Sequence, residues 1–253
     1  MSHISYSEIK NWAKCPFYHK LLYVDGLKVF EGNLYTSFGT AIHAACEKVQ
    51  ETSLDNLIEI FLSQFEEETS TLQEYDEALY REMKSQGPQI LEHVAARMDD
   101  YFGDFEVLTV EEKLYEAIPE STVSRNFKGF IDMVVRSGDK IHIIDWKTST
   151  RGWSTWQKND TVLKYQLLYY KHYYAQKYNL SPDDIHVHFG ILKRIASGQN
   201  RVELMEITSD EKKITESLNY MKKFLYNVDN KKYVKNRLSC KFCEFSGTEH
   251  CSN

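Results

Sequence analysis

An α/β domain with a helical N-terminal part is the fold this sequence predicts, on three observations. Apolar residues first recur at helical spacing. From Phe105 the period drops to two. Beyond it, long helical patterns alternate with short β-rich runs.

Ser5 to Lys14 reads as a short helix that stops at Cys15-Pro16, because proline cannot continue it. A second helix begins near Ser37. Ser53 is an N-cap, after which Leu54, Leu57, Ile58, Phe61, Leu62 and Phe65 form one apolar stripe with Glu66 to Glu68 outside it. Another helix is expected after Gly87-Pro88, running to about Tyr101. In the strand from Phe105, strict alternation puts Leu108, Val110, Glu112 and Leu114 on one side and Thr109, Glu111 and Lys113 on the other. Strands follow near 127–136 and 140–147, then a helix over 161–178, then strands near 185–193 and 201–207. The last helix is expected to start at Thr208 with a capping box closed by Glu211, and to bury Ile214, Leu218, Met221, Leu225 and Val228. The chain reads as a single domain over 1–253: a mainly helical part (1–104), a sheet with its long helix (105–207), and a C-terminal helix with a cysteine-rich tail (208–253).

The chain has 253 residues, of which 42% are apolar, enough for a substantial core. No apolar run approaches the roughly 18 residues that a membrane helix needs, and the start lacks the apolar stretch of a signal peptide. A cytoplasmic protein without a membrane partner is expected. The net charge of -6 conceals an asymmetry: residues 51–120 hold 19 acidic and 4 basic side chains, and 212–241 hold 9 basic and 2 acidic ones. The basic run, with Lys222, Lys223, Lys231 and Lys232, suits either a phosphate-tracking face or a solvated surface. Three of the five cysteines fall in the last fourteen residues, which fits a metal or cluster site better than a disulfide framework.

The chemistry concentrates between Gly129 and Thr148. Gly138-Asp139, between two β-rich runs, predicts a two-residue hairpin loop with glycine first. That loop makes Asp132 and Asp145 cross-strand partners on one face of the sheet, with Cβ atoms about 4.5 to 5.5 Å apart. Like charges so placed repel, so a cation is expected between them. Lys147, two residues on, projects to the same face. Hard oxygen donors of this kind favour Mg²⁺ or Mn²⁺, which polarise a phosphoryl oxygen and generate hydroxide from bound water. Ile131, Ile141, Ile143 and Ile144 argue that these strands are central and buried rather than solvent-facing.

These residues resemble the PD-(D/E)xK nuclease superfamily, specifically its RecB and AddB-like branch, which includes CRISPR-associated RecB-like exonucleases. Ser5-Tyr6-Ser7 with Cys15-Pro16 is similar to the N-terminal motif, and Gly39 to His43 to the G-x-x-x-H motif. Gly129 to Asp132 and Asp145 to Thr148 match the two catalytic strands. Gln166 to Tyr170 matches the Q-x-x-x-Y helix, and Cys240, Cys243 and Cys251 resemble the C-terminal cysteine cluster. The patches span nearly the whole chain in family order.

The resemblance implies a restriction-endonuclease-like central mixed sheet flanked by helices. It also implies that His43, Asp132, Asp145 and the Trp146 carbonyl ligate the metal while Lys147 positions the attacking water. Glu112 is the candidate supporting carboxylate, by its strand parity. Gln166 and Tyr170, four apart, share one helix face and either reach the site or DNA, or simply pack. Trp153 and Trp156, interleaved with Arg151 and Lys158, hint at contact with single-stranded DNA. Cys15, Cys240, Cys243 and Cys251 would hold an iron-sulfur cluster (4Fe-4S), with zinc or a replacement ligand, His250, as the alternative; Cys46 is left as a buried thiol.

The expected function is a metal-dependent DNA nuclease, an exonuclease on single strands or ends in recombination, repair or replication. The rivals are a structure-specific or restriction-like endonuclease and a non-catalytic DNA-binding assembly subunit. The sequence contains no helicase P-loop, so unwinding would need a helicase or recombination partner.

Overall fold

The computed structural model describes residues 3–28, 32–119 and 123–252. The elements run β1 (His3–Ser5), α1 (Tyr6–Lys14), α2 (Pro16–His19) with a π-helical turn (Lys20–Val24), α3 (Leu34–Cys46), α4 (Leu54–Ser70) and α5 (Glu77–Phe102). There follow β2 (Phe105–Ala117), β3 (Asn126–Ser137), β4 (Lys140–Ser149), α6 (Thr155–Lys158), α7 (Thr161–Tyr178), β5 (Ile185–Lys193), β6 (Val202–Glu206) and α8 (Glu211–Asp229). Among the described residues no helix is long and apolar enough to cross a membrane.

The mixed six-stranded sheet has the order β1-β3-β4-β5-β6, with β2 also paired to β3. The β2–β3, β3–β4 and β5–β6 pairs are antiparallel; β4–β5 and β1–β3 are parallel. Helices cover both faces. α1, α7 and α8 pack on one around Phe127, Val134, Ile143, Val187 and Phe189. On the other, α3, α4 and α5 pack around Met133, Val135, Ile144, Trp146 and Leu192. The central strands are thus apolar on both sides, as strands buried on two faces must be. This is the restriction-endonuclease-like arrangement expected of the sequence.

Local chemistry sets most boundaries. Ser5, Ser53 and Asp160 cap their helices through the side chain. Gly138 has φ +58° between Ser137 and Lys140, which pair across the two-residue loop. Three expectations fail for physical reasons. Gly87-Pro88 lies inside α5, which starts ten residues earlier behind the cap of Asp76; buried Met83 and Gln86 before it and Ile90 and Leu91 after it carry the helix through the lost N–H. The last helix is capped by Asp210, whose carboxylate accepts from Lys213 N–H (2.8 Å), because Ile207 N–H is still held by the Val187 carbonyl (2.9 Å) and the chain is extended there. Leu218 is only partly buried, and Phe224 takes a place in the core.

The third departure is in β2, whose alternation breaks twice. The register against β3 shifts between Val107 and Thr109, and Glu111 adopts φ +48°. Val110 therefore packs on the α3–α5 side, whereas Leu108 and Leu114 pack on the α7 side.

Gly87 lets two helices touch. A Cβ there would lie 2.1 Å from Cε1 of Phe61, a fully buried ring in α4. On helix propensity alone Gly87→Ala should stabilise by up to about 1 kcal/mol. We expect instead a loss of about 1–3 kcal/mol from overpacking, read from urea unfolding. A stabilised variant would contradict the close α4–α5 contact.

Candidate active site

β2 occupies one edge of β3 along nearly its whole length, so β1 and β4 must share the other edge. β1 pairs with Asn126 to Lys128 and β4 with Met133 to Ser137. Between them the edge of β3 has no strand partner among the described residues, and Asp132 stands in this gap. The predicted cross-strand pairing of Asp132 with Asp145 is replaced by a tighter device: Trp146 N–H donates to Asp132 Oδ2 at 2.7 Å, and the ladder ends at Met133–Ile144. β4 stays anchored by β5 on its other edge as far as Ser149.

Around that gap the structure brings together His43, Asp132, Asp145, Lys147 and Gln166. His43 Nδ1 of α3 lies 3.5 Å from Asp132 Oδ2. Lys147 forms an ion pair with Asp145 Oδ2, which has no aligned hydrogen bond besides, and Gln166 Nε2 donates to Asp145 Oδ1 at 2.9 Å. Gln166 Nε2 also lies 3.1 Å from the Tyr170 hydroxyl, so the two residues one turn apart on α7 act as a strut. Gly129 permits it, because a Cβ there would meet the Tyr170 ring at 2.8 Å.

Burial dominates the electrostatics. It raises both aspartates to about 6, against the opposing pull of Lys147. Burial, then Lys147, lowers His43 to about 4, so its contact with Asp132 is that of a neutral imidazole. Two further carboxylates, outside the expected set, add negative charge. Glu47, one turn after His43, is raised to about 7 by burial, then by Glu111 and Asp132, and shares a hydrogen bond with Glu111. The β2–β3 register pairs Val110 with Met133 and Glu112 with Ile131, which brackets Glu111 beside Asp132, whose pKa it helps to raise. Glu112 points elsewhere: Lys177 Nζ (2.5 Å), the Tyr178 hydroxyl (2.6 Å) and Thr109 Oγ1 (3.1 Å) all donate to it. Continuous parity had favoured Glu112; the left-handed turn at Glu111 reverses the choice. For Glu47, the i+4 spacing from His43 was a signal available in the sequence.

α1 closes the site from the N-terminal side. Tyr6 is buried and raised by burial, then by Asp145, and Lys10 is lowered by burial, then by Lys147. Together with Lys147, Gln157 and Trp156 they border a groove of about 440 Å³. Trp153 packs edge-on against Phe189, and Lys158 is paired with Glu203 (2.5 Å). Trp156, 76% exposed, is the ring open to a ligand.

A donor set of the buried Asp145 carboxylate, the half-buried Asp132 carboxylate and one neutral imidazole, with negative charge in excess of one lysine, fits a hard divalent cation. As placed, no set of three His, Cys, Asp or Glu side chains among the described residues encloses an ion; Lys147 holds Oδ2 of Asp145.

At the C-terminal end of α1, the tail folds back on the helix. Asn236 N–H lies 3.2 Å from Cys15 Sγ, Lys14 Nζ donates to the Phe242 carbonyl (3.0 Å), and Cys240 Sγ lies 4.0 Å from the Asn236 carbonyl. All five cysteines are free thiols, and burial raises Cys46 strongly. His250 Nε2 lies 3.6 Å from Glu249 Oε1. Lys222, Lys223, Lys231 and Lys232 are all exposed, the last stacked on Tyr226.

Residues 3–248 match the family model for the PD-(D/E)XK nuclease superfamily. No curated protein matches the chain. Among solved structures, a candidate exonuclease from Eubacterium rectale superposes with a TM-score of 0.61 at 16% identity, over 96% of this chain and 86% of that one. At that identity the likeness concerns the fold. The structures of SSO0001 (TM-score 0.38, 16% identity, 91% of each chain) and of LHK-Exo in complex with dAMP (0.33, 17%, 78% of this chain and 93% of that one) superpose too loosely to carry an argument.

Because Asp132 and Asp145 are raised to about 6, each keeps its proton in the folded, metal-free protein between about pH 4 and 6, where the unfolded chain has lost it. The contribution of these two carboxyls to stability therefore falls as pH rises through that window. Asp145→Asn, which removes the buried charge, should raise metal-free stability at about pH 8 by up to about 3 kcal/mol, measured by urea unfolding. A destabilised variant would show that Lys147 and Gln166 already outweigh the burial cost.

Proposed function

The chain belongs to the PD-(D/E)XK nuclease superfamily, and from that premise we propose that it is a divalent-metal-dependent DNA nuclease acting on single strands or ends. The observation that carries this reading is the pair of aspartates, half-buried Asp132 and buried Asp145, at the break between β3 and β4 with Lys147 and His43 against them. Asp132, Asp145, His43 and the Trp146 carbonyl would hold Mg²⁺ or Mn²⁺. When bound, the ion supplies Lewis acidity toward a phosphoryl oxygen and lowers the pKa of water.

The chain's own residues do the rest. Gln166, braced by Tyr170, fixes the Asp145 carboxylate, and the Trp146 N–H fixes that of Asp132. Lys147 directs the water oxygen at phosphorus and stabilises charge building on the phosphoryl oxygens as the ester P–O bond breaks. Lys10 adds a second cation on the same side, and Trp156 offers a stacking surface at the groove mouth.

Lys147→Ala should cut the cleavage rate by orders of magnitude with DNA binding retained, in an assay on end-labelled linear and circular single-stranded DNA. Loss of all action on circles would identify an exonuclease; circle cleavage would identify an endonuclease. A Lys147→Ala protein as fast as wild type would refute the site.

We also propose that Cys15, Cys240, Cys243 and Cys251 bind an iron-sulfur cluster that ties α1 to the tail. Support comes from the docking of the Asn236–Phe242 stretch on Lys14 and Cys15. A closed loop between such distant residues would restrict the unfolded chain, so its role is structural. Protein purified without oxygen should be brown and contain iron and sulfide. Colourless protein with stoichiometric zinc would assign the site to zinc, and protein with neither would remove it.

A further inference from the structure

A buried arginine with only neutral partners lies beside the catalytic strands. Arg194, just past β5, is 4% exposed. Its NH1 donates to Gln86 Oε1 of α5 (2.9 Å) and its NH2 to Thr150 Oγ1 (3.0 Å); its guanidinium stands 5.2 Å from the Tyr35 ring centre. Among the described residues no carboxylate lies within ion-pair distance of it, whereas the neighbouring Lys193 is paired with Glu203. A guanidinium has five donors and is never neutral in a protein, so a buried one without an anion is costly unless a ligand brings the anion.

Space for that anion is at hand. Arg194, Thr148, Thr150 and Tyr35 line a pocket of about 150 Å³ floored by Phe38 and Met83. That is well below the roughly 300–1,000 Å³ of pockets that take whole small molecules, and suits one compact group. Thr150 Oγ1 accepts from Arg194, which leaves its own proton free to donate into the pocket.

The pocket is also in line with the cleft. Tyr35, Gly39 and His43 form a single stripe on α3, at i, i+4 and i+8, and span about 12 Å of helix. Thr148, one residue past Lys147, faces Gly39 on that stripe, where an added Cβ would lie 3.7 Å from its hydroxyl. A strand whose scissile phosphate sits at Asp132 and Asp145 can therefore place another phosphate here.

We propose that Arg194, with Thr150, forms a phosphate-binding subsite beside the scissile position. It rests on the nuclease reading and adds a positioning contact to it. The phosphate is either an internal diester or a terminal monoester, since both present the same oxygens to a guanidinium fork.

The test is binding of a short fluorescent thymidine oligonucleotide, followed by anisotropy with Ca²⁺, for wild type and Arg194→Gln. Arg194→Gln should raise Kd about tenfold and reduce the salt slope by about 0.7, the value of one phosphate contact on a single strand. Oligonucleotides carrying one neutral methylphosphonate linkage, scanned along the chain, should reveal one position whose penalty is present in wild type and absent in Arg194→Gln. Substrates with and without a terminal phosphate separate the monoester from the diester. A purely structural arginine would weaken every oligonucleotide alike and leave the linkage pattern intact, which would overturn the proposal, as would unchanged binding by the variant or no binding by wild type. If Arg194→Gln does not fold, Thr150→Val decides: it must weaken the same linkage several-fold, and an unaltered pattern overturns the subsite. Wild type that binds but cuts nothing defeats the nuclease reading while the linkage scan still judges the subsite.

Discussion

Two aspartates on adjoining buried strands can coexist only where the strands stop pairing. β3 and β4 meet that condition because β1, entering parallel to β3, takes over the edge that β4 leaves. The resulting gap is where Asp132 reaches across to the backbone of Trp146. A carboxylate thereby satisfies a strand N–H that would otherwise be a buried orphan, and the site's first fixed point is a piece of secondary-structure bookkeeping. Everything else is placed relative to it: α3 brings His43 from one face of the sheet, and α7 brings Gln166 from the other.

The same packing makes the site electrostatically demanding. Asp145 is almost wholly buried, and Glu47 and Glu111 add acid to a region with Lys147 as its nearest cation. A folded protein keeps such a cluster only with compensation elsewhere, here the two apolar layers that clamp β3 and β4. With the proposed role of Asp132 and Asp145, function and stability oppose each other there, as they commonly do where burial tunes carboxylates toward a ligand. Burial raises Asp132, and the carboxylates of Asp132 and Asp145 are already oriented by hydrogen bonds to Trp146 and Gln166, as the proposed cation site requires.

Long periodic segments were legible from the sequence, since β5 and α7 depend on local pattern alone and occupy Ile185–Lys193 and Thr161–Tyr178. The neighbourhood of Asp132, Asp145 and Lys147 was legible because a two-residue hairpin fixes register. What failed depended on tertiary contact. Gly87-Pro88 looked like a helix start, yet the glycine serves the Phe61 ring across the helix interface. Glu112 followed from unbroken alternation, and a single left-handed residue, Glu111, is invisible to a period of two. The α8 cap moved to Asp210 because a sheet hydrogen bond at Ile207 holds the preceding residues extended. Arg194 had no signal at all, since an arginine in sequence does not announce that it is buried.

In the proposed nuclease the paired aspartates are a cation site held ready by burial. Calorimetric titration of the wild-type protein with Mn²⁺, repeated in buffers of different ionisation enthalpy, tests it directly, because ligands that bind protons must release them to the metal. With both aspartates raised to about 6 and His43 lowered to about 4, binding near the aspartates' pKa should release about one proton per ion, and affinity should rise with pH and level off above it. Proton-free binding of unchanged affinity across that range, or no binding, would contradict the account.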